Sequence, residues 1–328
     1  MFADPETLRR EREAFDIHAE PIADLLRADD ITDIMLNTPE RKGDPGPIWI
    51  DRAGVGMVDS GVRLTARDAE ILIREFASQA NVVSPFNADH PRLSCQAALG
   101  QYRVEATLPP ASFAPTFVLR KYIRRGEITL PDYVESGELT GSVVDQLIGE
   151  ILCDEPATVL VGGETGSGKT TFLHPLLRVA GHGGRRRMVL IEDTPELELP
   201  PGPNNRLEVR EDSKFTYSDA VFSALRQRPD AIVLGELRRP DDANQAVEAW
   251  NTGHQGMATI HAGSCDEMLW RLYSLCRQSE SGRHVEQRTI ASAIDLCVHL
   301  RRVRGRRVIT VQRVTGWDGH KFQLEELV

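Results

Sequence analysis

Apolar positions along this chain keep one kind of spacing in its first third and another after it. Residues 4–28 carry Leu8, Ile17, Ile22, Leu25 and Leu26 among many charges, the spacing of a helix with one apolar face. Asp30–Asn37 then reads as a strand, Trp49–Arg52 as its antiparallel partner and Gly54–Met57 as a further short strand. The insert Arg41-Lys42-Gly43-Asp44-Pro45-Gly46-Pro47 reads as a loop. Thr65 opens a helix: it can cap, Asp68 follows three residues on, and Ala69, Leu72, Ile73, Phe76 and Ala77 share a face. Strands return at Leu93–Leu99, Tyr102–Leu108 and Thr116–Arg120, separated by Leu99-Gly100-Gln101 and by Pro109-Pro110. Residues 1–125 therefore read as a smaller α+β N-terminal domain with an antiparallel sheet. Residues 126–142 read as a linker with a helical turn at Tyr133, and a helix over Gly141–Cys153 leads into the second domain.

From Ala157 the pattern alternates apolar runs with helical periodicity. It predicts strands at 157–161, 187–191, 230–234 and 257–261, and helices at 169–180, 218–227, 240–251 and 264–278. That alternation predicts an α/β domain over residues 143–328, with a mainly parallel sheet covered on both faces. The tail, Leu296–Leu300, Arg307–Val314 and Lys321–Leu324, reads as a short antiparallel meander. Arg185-Arg186-Arg187 and the arginine-rich 301–307 stretch read as solvated turns and strand ends.

Composition narrows the class. A length of 328 residues suits two domains, and a net charge of −10 argues against a generally basic nucleic-acid-binding surface. Cys95, Cys153, Cys265, Cys276 and Cys297 are odd in number and lack metal-ligand spacing, so reduced thiols are expected. No apolar run approaches the roughly 18 residues of a membrane helix. Met1 to Glu20 is charged throughout, unlike a signal peptide. The expected location is cytoplasmic, with membrane contact only through partners.

The clearest chemistry lies at Gly162-Gly163-Glu164-Thr165-Gly166-Ser167-Gly168-Lys169-Thr170-Thr171, between the apolar run Thr158–Val161 and a helical pattern with Phe172, Leu173, Leu176 and Leu177 on one face. Gly163, Gly168, Lys169 and Thr170 satisfy the phosphate-loop pattern, Walker A. Glycines let several backbone N–H groups turn toward one anion, and the helix start adds its positive end. Lys169 supplies a point charge for the β- and γ-phosphates of ATP, and Thr170 a hydroxyl for Mg²⁺.

Two apolar strands end in carboxylates. Met188–Ile191 runs into Glu192 and Asp193, and Ala231–Leu234 into Gly235-Glu236, the Walker B position. Ligands of parallel sheets collect at strand carboxyl ends, which places Glu192 and Glu236 near the loop. A carboxylate there can order the Mg²⁺ shell or polarise the attacking water. His254 and His261 flank a further short strand. His261, after its apolar piece, reaches the same sheet edge and could hydrogen-bond the γ-phosphate or the water, whereas His254 fits a structural and a functional role equally.

Together these segments resemble the secretion ATPases of type IV secretion, type II secretion and type IV pili. The resemblance rests on the loop at 162–171, on Ile191–Leu197 (an Asp box), on Leu225–Asp230 running into Gly235–Arg238, and on Ala249-Trp250-Asn251-Thr252-Gly253-His254 with Thr259–Ala262 (a His box). Wording in the last segment, and Asp33–Asn37, Trp49–Arg52, Pro109-Pro110 and Ala114–Lys121, look most like the TrbB-like conjugal-transfer branch. The seven-residue interval from His254 to His261 instead matches the pilus-retraction branch, and Ala262-Gly263-Ser264 departs from the usual Ala-Asn. The four-cysteine metal site of the type II branch is absent.

The resemblance implies a RecA-like second domain and a homohexameric ring, with ATP bound between a subunit's two domains. It implies that Lys169 and Thr170 hold phosphate and Mg²⁺, that Glu236 activates water, that Glu192 is the essential Asp-box carboxylate and that His261 is the His-box histidine. Arg103 and Arg120 map to N-terminal-domain arginines that reach the γ-phosphate. The expected partners are inner-membrane components of a secretion, conjugation or pilus machine, with peripheral association at the inner face of the membrane and no sequence-specific nucleic-acid binding. A RecA-like nucleic-acid motor and a nucleotide-dependent scaffold with negligible turnover are the competing classes.

Overall fold

The computed structural model describes residues 17–79, 86–97, 102–121, 128–210, 213–303 and 306–328. The start of the expected first helix and the 99–101 turn lie outside them. The chain divides into two compact units, Met1–Arg125 and Gly126–Val328.

The first unit holds a six-stranded sheet: β1 (Ile31–Leu36), β2 (Gly46–Arg52), β3 (Gly56–Leu64), β4 (Arg92–Ala97), β5 (Tyr102–Thr107) and β6 (Thr116–Lys121). Its order is β3-β2-β1-β6-β5-β4, and every pair is antiparallel. Among its described residues are also two α-helices, α1 (Ala23–Arg27) and α2 (Ala66–Gln79). Alternation puts Ile34, Leu36, Val104, Phe117 and Leu119 on one face, where Leu72, Ile73 and Phe76 of α2 meet them. The insert begins as a turn, but Gly46 and Pro47 already belong to β2, because the Pro47 carbonyl accepts from the Asn37 amide at 3.0 Å.

The second unit holds α3 (Leu130–Glu135), α4 (Gly141–Leu152), β7 (Val159–Gly163), α5 (Lys169–Ala180), β8 (Met188–Glu192) and β9 (Asn205–Glu208). It continues through α6 (Tyr217–Leu225), β10 (Ala231–Leu234), α7 (Pro240–Trp250), β11 (Gln255–Ile260), α8 (Cys265–Gln278) and α9 (Gln287–Ala293) to β12 (Leu296–Val303), β13 (Arg306–Trp317) and β14 (Phe322–Glu326). The sheet order is β14-β13-β12-β7-β11-β10-β8-β9. The six strands from β12 to β9 are parallel, and β12, β13 and β14 pair antiparallel. Strands β7, β8, β10 and β11 are buried throughout, as expected for strands covered on both faces.

Leu160, Ile232 and Ile260 face a core with Val221, Val247, Met268 and Ile290 from α6 to α9. Val161, Leu190 and Val233 face the opposite core, with Tyr133, Leu147, Phe172 and Leu176 from α3, α4 and α5. The segment expected to be a linker thus buries Leu130, Tyr133 and Leu139 in the second unit. The expected antiparallel meander forms, and through β12 it is continuous with the main sheet. Asp295 fixes that junction: its carboxylate accepts from the Thr158 amide at 2.7 Å, just before β12 pairs in parallel with β7.

Candidate active site

Strand β7 runs out at Gly163 and the loop over residues 164–168 delivers the chain to α5. Gly168, at φ 101°, is the N-cap of α5, a left-handed conformation that an L side chain resists. The first amides of α5, from Lys169, Thr170 and Thr171, lie in the turn that has no intrahelical acceptors. Glu164, Thr165 and Gly166 are exposed, Thr170 and Thr171 are half-buried, and the Ser167 hydroxyl is buried with no partner. Lys169 is only 8% exposed and folds back over its own loop, donating to the carbonyls of Gly163 at 3.0 Å and Glu164 at 3.1 Å. Burial lowers its pKa, and the negative charge of Glu236 opposes that shift.

Lys169 begins a chain of contacts across strand ends. Its ammonium lies 3.4 Å from His261 Nδ1, and His261 Nε2 lies 2.7 Å from Glu236 Oε1. Arg238 donates to the other Glu236 oxygen and comes within 3.7 Å of Asp193. An ammonium can only donate, so Nδ1 is the accepting nitrogen and the proton of the neutral ring belongs on Nε2, toward Glu236. Burial lowers the His261 pKa, with Glu236 opposing, which favours that neutral ring. The His261–Glu236 contact is close but is not aligned as a hydrogen bond, which leaves Glu236 Oε1 with capacity for another donor. Two bonds hold the strand ends in register. Thr259 donates through Oγ1 to the Gly235 carbonyl at 2.7 Å and accepts at its own carbonyl from the Leu237 amide at 2.9 Å.

Glu192 ends β8 and is 1% exposed. Its Oε1 accepts from the amides of Glu196 at 3.0 Å and Leu197 at 2.9 Å, so the carboxylate shapes the loop that follows it. Its Oε2 is buried without a hydrogen bond, 3.7 Å from Arg206. Burial raises its pKa to about 7, against the opposing pull of the two amides. A Cβ at Gly235 would sit 2.9 Å from Glu192 Cγ, so this packing requires glycine there.

Arg103 and Arg120 belong to the first unit. They are direct partners on β5 and β6, on the sheet face opposite α2. Arg120 Nε donates to Asp33 Oδ1 at 2.8 Å, where Asp33 is nearly buried and Arg120 is more than half exposed.

A type II/IV secretion system protein model matches residues 91–315. The chain belongs to that family. Conjugal transfer protein TrbB of Rhizobium radiobacter is 32% identical over 298 residues, covering 90% of this chain and 87% of that one. Type IV secretion system protein VirB11 of Brucella suis is 29% identical over 320 residues, covering 86% and 84%. The fold is also that of the pilus retraction motor PilT solved with bound ADP, with a TM-score of 0.62, 22% identity, and 90% and 81% of the two chains covered.

In this secretion system protein the sheet separates the two histidines. His254 precedes β11, next to Thr252 Oγ1 at 3.0 Å, while His261 follows the strand, about 20 Å away at the usual rise per residue. His254 thus sits at the strand end remote from the loop. Arg238, which clamps Glu236, was not singled out from the sequence. Its signal is its place two residues beyond the Walker B carboxylate.

The arrangement supplies oxygen donors of the kind Mg²⁺ takes, from Thr170 and Glu236. Among the described residues no group of three or more His, Cys, Asp and Glu side chains forms a metal cage. No helix among the described residues is long and apolar enough to cross a membrane.

Proposed function

We propose that the chain is an ATPase that hydrolyses ATP to ADP and phosphate and couples this to type IV secretion or conjugal transfer. The single observation that carries the reading is the Lys169–His261–Glu236 chain at the N-terminus of α5. Bound triphosphate would replace the loop carbonyls as partner of Lys169, with the amides of residues 163–171 around the phosphates. Mg²⁺, held by Thr170, Glu236 and Glu192, would neutralise charge on the phosphates. Glu236, held by Arg238, orients the attacking water through Oε1, and His261 stands between that oxygen and Lys169. Glu192 acts mainly by fixing the 193–197 loop. Arg103 and Arg120 serve as γ-phosphate sensors, since a guanidinium is always charged and forks onto phosphate oxygens.

We read the second unit as RecA-like and the working form as a homohexamer. It would act at the cytoplasmic face of the inner membrane, docked on membrane components of its machine. TrbB and VirB11 among the relatives support the conjugation and type IV secretion reading. The seven-residue interval between His254 and His261 favours a pilus motor as the second reading. Nucleotide binding and phosphate release by the purified protein test the ATPase. Lys169→Ala is expected to lose both binding and turnover, and a Lys169→Ala protein with wild-type turnover would refute the site.

A further inference from the structure

The phosphate loop is flanked on its other side by a cation that this mechanism does not use. Arg307, on β13, lies against Gly168: a Cβ placed there would be 3.4 Å from Arg307 Cζ and Nε. Its guanidinium is 5.8 Å from the centre of the Tyr133 ring and donates to Glu138 Oε2 at 3.3 Å. Tyr133 in turn packs edge-on against Phe172 in the first turn of α5, at 4.9 Å between ring centres. The arginine is therefore no solvated strand end. Its side chain is 20% exposed, and α3, the loop after it and the P-loop helix hold it in place.

Its surroundings are incomplete. Arg307 Nε–H is buried and finds no aligned acceptor, and the Tyr133 hydroxyl, which the Arg307 guanidinium approaches, has no acceptor for its own proton. Burial pushes the Tyr133 phenol up to about 12, which keeps it a neutral donor at pH 7. A cation beside the N-terminus of a helix is placed where an anion is favoured. Glu138 offsets the charge of Arg307, and the positive end of α5 remains. An unspent guanidinium N–H and the positive end of α5 meet at Gly168.

The sheet order says which part of a nucleotide would lie there. Glu236 and His261 come from β10 and β11, on one flank of β7, whereas Arg307 comes from β13, beyond β12 on the opposite flank. If the γ-phosphate lies beside Glu236, the nucleoside end of the triphosphate extends toward Arg307. We infer that Arg307, braced by Tyr133 and Glu138, is a nucleotide-binding residue that takes the α-phosphate through its unspent Nε–H. This rests on the nucleotide reading above.

The test is calorimetric titration of ADP, and of the two diastereomers of ADP carrying sulfur on the α-phosphorus, into wild type, Arg307→Gln, Arg307→Lys and Lys169→Ala. Loss of one charge-assisted bond to phosphate is expected to weaken ADP binding about 10- to 100-fold in Arg307→Gln. Wild type is expected to prefer one diastereomer, and Arg307→Gln to bind both equally. Arg307→Lys keeps the charge and the packing stem and guards against a folding defect. It is expected to retain most of the affinity but to change the diastereomer ratio. Wild-type affinity in Arg307→Gln, a loss that leaves the ratio unaltered, or no preference in wild type would each overturn the inference. If Lys169→Ala binds ADP like wild type, the nucleotide site itself is wrong, and that result is independent of Arg307.

Discussion

Glu192 carries its carboxylate where water does not reach, and its titration should be visible in stability. Its ordinary value is 4.5 and burial lifts the folded value to about 7. Between those values the folded state holds a proton that the unfolded state has lost, so stability falls as pH rises through that window. Glu192→Gln keeps an acceptor for the two amides and has no charge to bury. Relative to wild type it should gain on the order of 1–3 kcal/mol between pH 5 and pH 8, read by denaturant titration at both pH values. No relative gain would place the carboxylate in water. His261 gives the second prediction at this scale. Its ring sits between Lys169 and Glu236. His261→Phe should lower kcat by about a hundredfold with little change in ATP affinity, because the phosphate contacts of Lys169 remain. Equal loss of affinity and turnover would instead make the ring part of the binding surface. The loop, Glu236 and His261 were legible in the sequence because each follows an apolar strand. The burial of Glu192 and the Arg238 clamp were not, since both depend on which way a strand end turns.

Strand β7 feeds the loop, and its interior decides how firmly the loop is held. Leu160 is fully buried and faces the core of α6 to α9. Leu160→Ala should cost about 2–5 kcal/mol, measured by chemical denaturation, while the loop residues stay untouched. A cost below 1 kcal/mol would mean that this core relaxes around the hole. The α6 start offers a milder check. Thr216 and Asp219 form a reciprocal capping box, with the Asp219 amide 3.2 Å from Thr216 Oγ1 and the Thr216 amide 2.9 Å from Asp219 Oδ2. Thr216→Ala should cost about 0.5–2 kcal/mol. Helices such as α5 and α7 match their apolar periodicity closely. Strand β9 was missed because it is an edge strand with alternating exposure in a polar stretch. Strand β12 was recognised as a strand but not placed, because its parallel neighbour lies far away in sequence and Asp295 makes the junction through a side chain. The arginines at 185–187 also exceeded their sequence reading: Arg186 donates to the Ile151 carbonyl at 2.9 Å and Arg187 to the Gln227 carbonyl at 2.7 Å.

At the scale of the whole molecule, the family is fixed, and the proposal turns on what the site does with a triphosphate. Native mass measurement with and without ATP checks the assembly: six copies of the 36.5 kDa chain are expected, and a monomer under both conditions would contradict the ring. The central claim is that Glu236 orients the attacking water while the loop and Lys169 bind the phosphates. It is tested most directly by mixing excess enzyme with labelled ATP and Mg²⁺, quenching with acid, and resolving the bound nucleotide. Wild type should yield labelled ADP, and Glu236→Gln should bind the label and return it as intact ATP. Labelled ADP formed by Glu236→Gln at the wild-type rate would contradict the account.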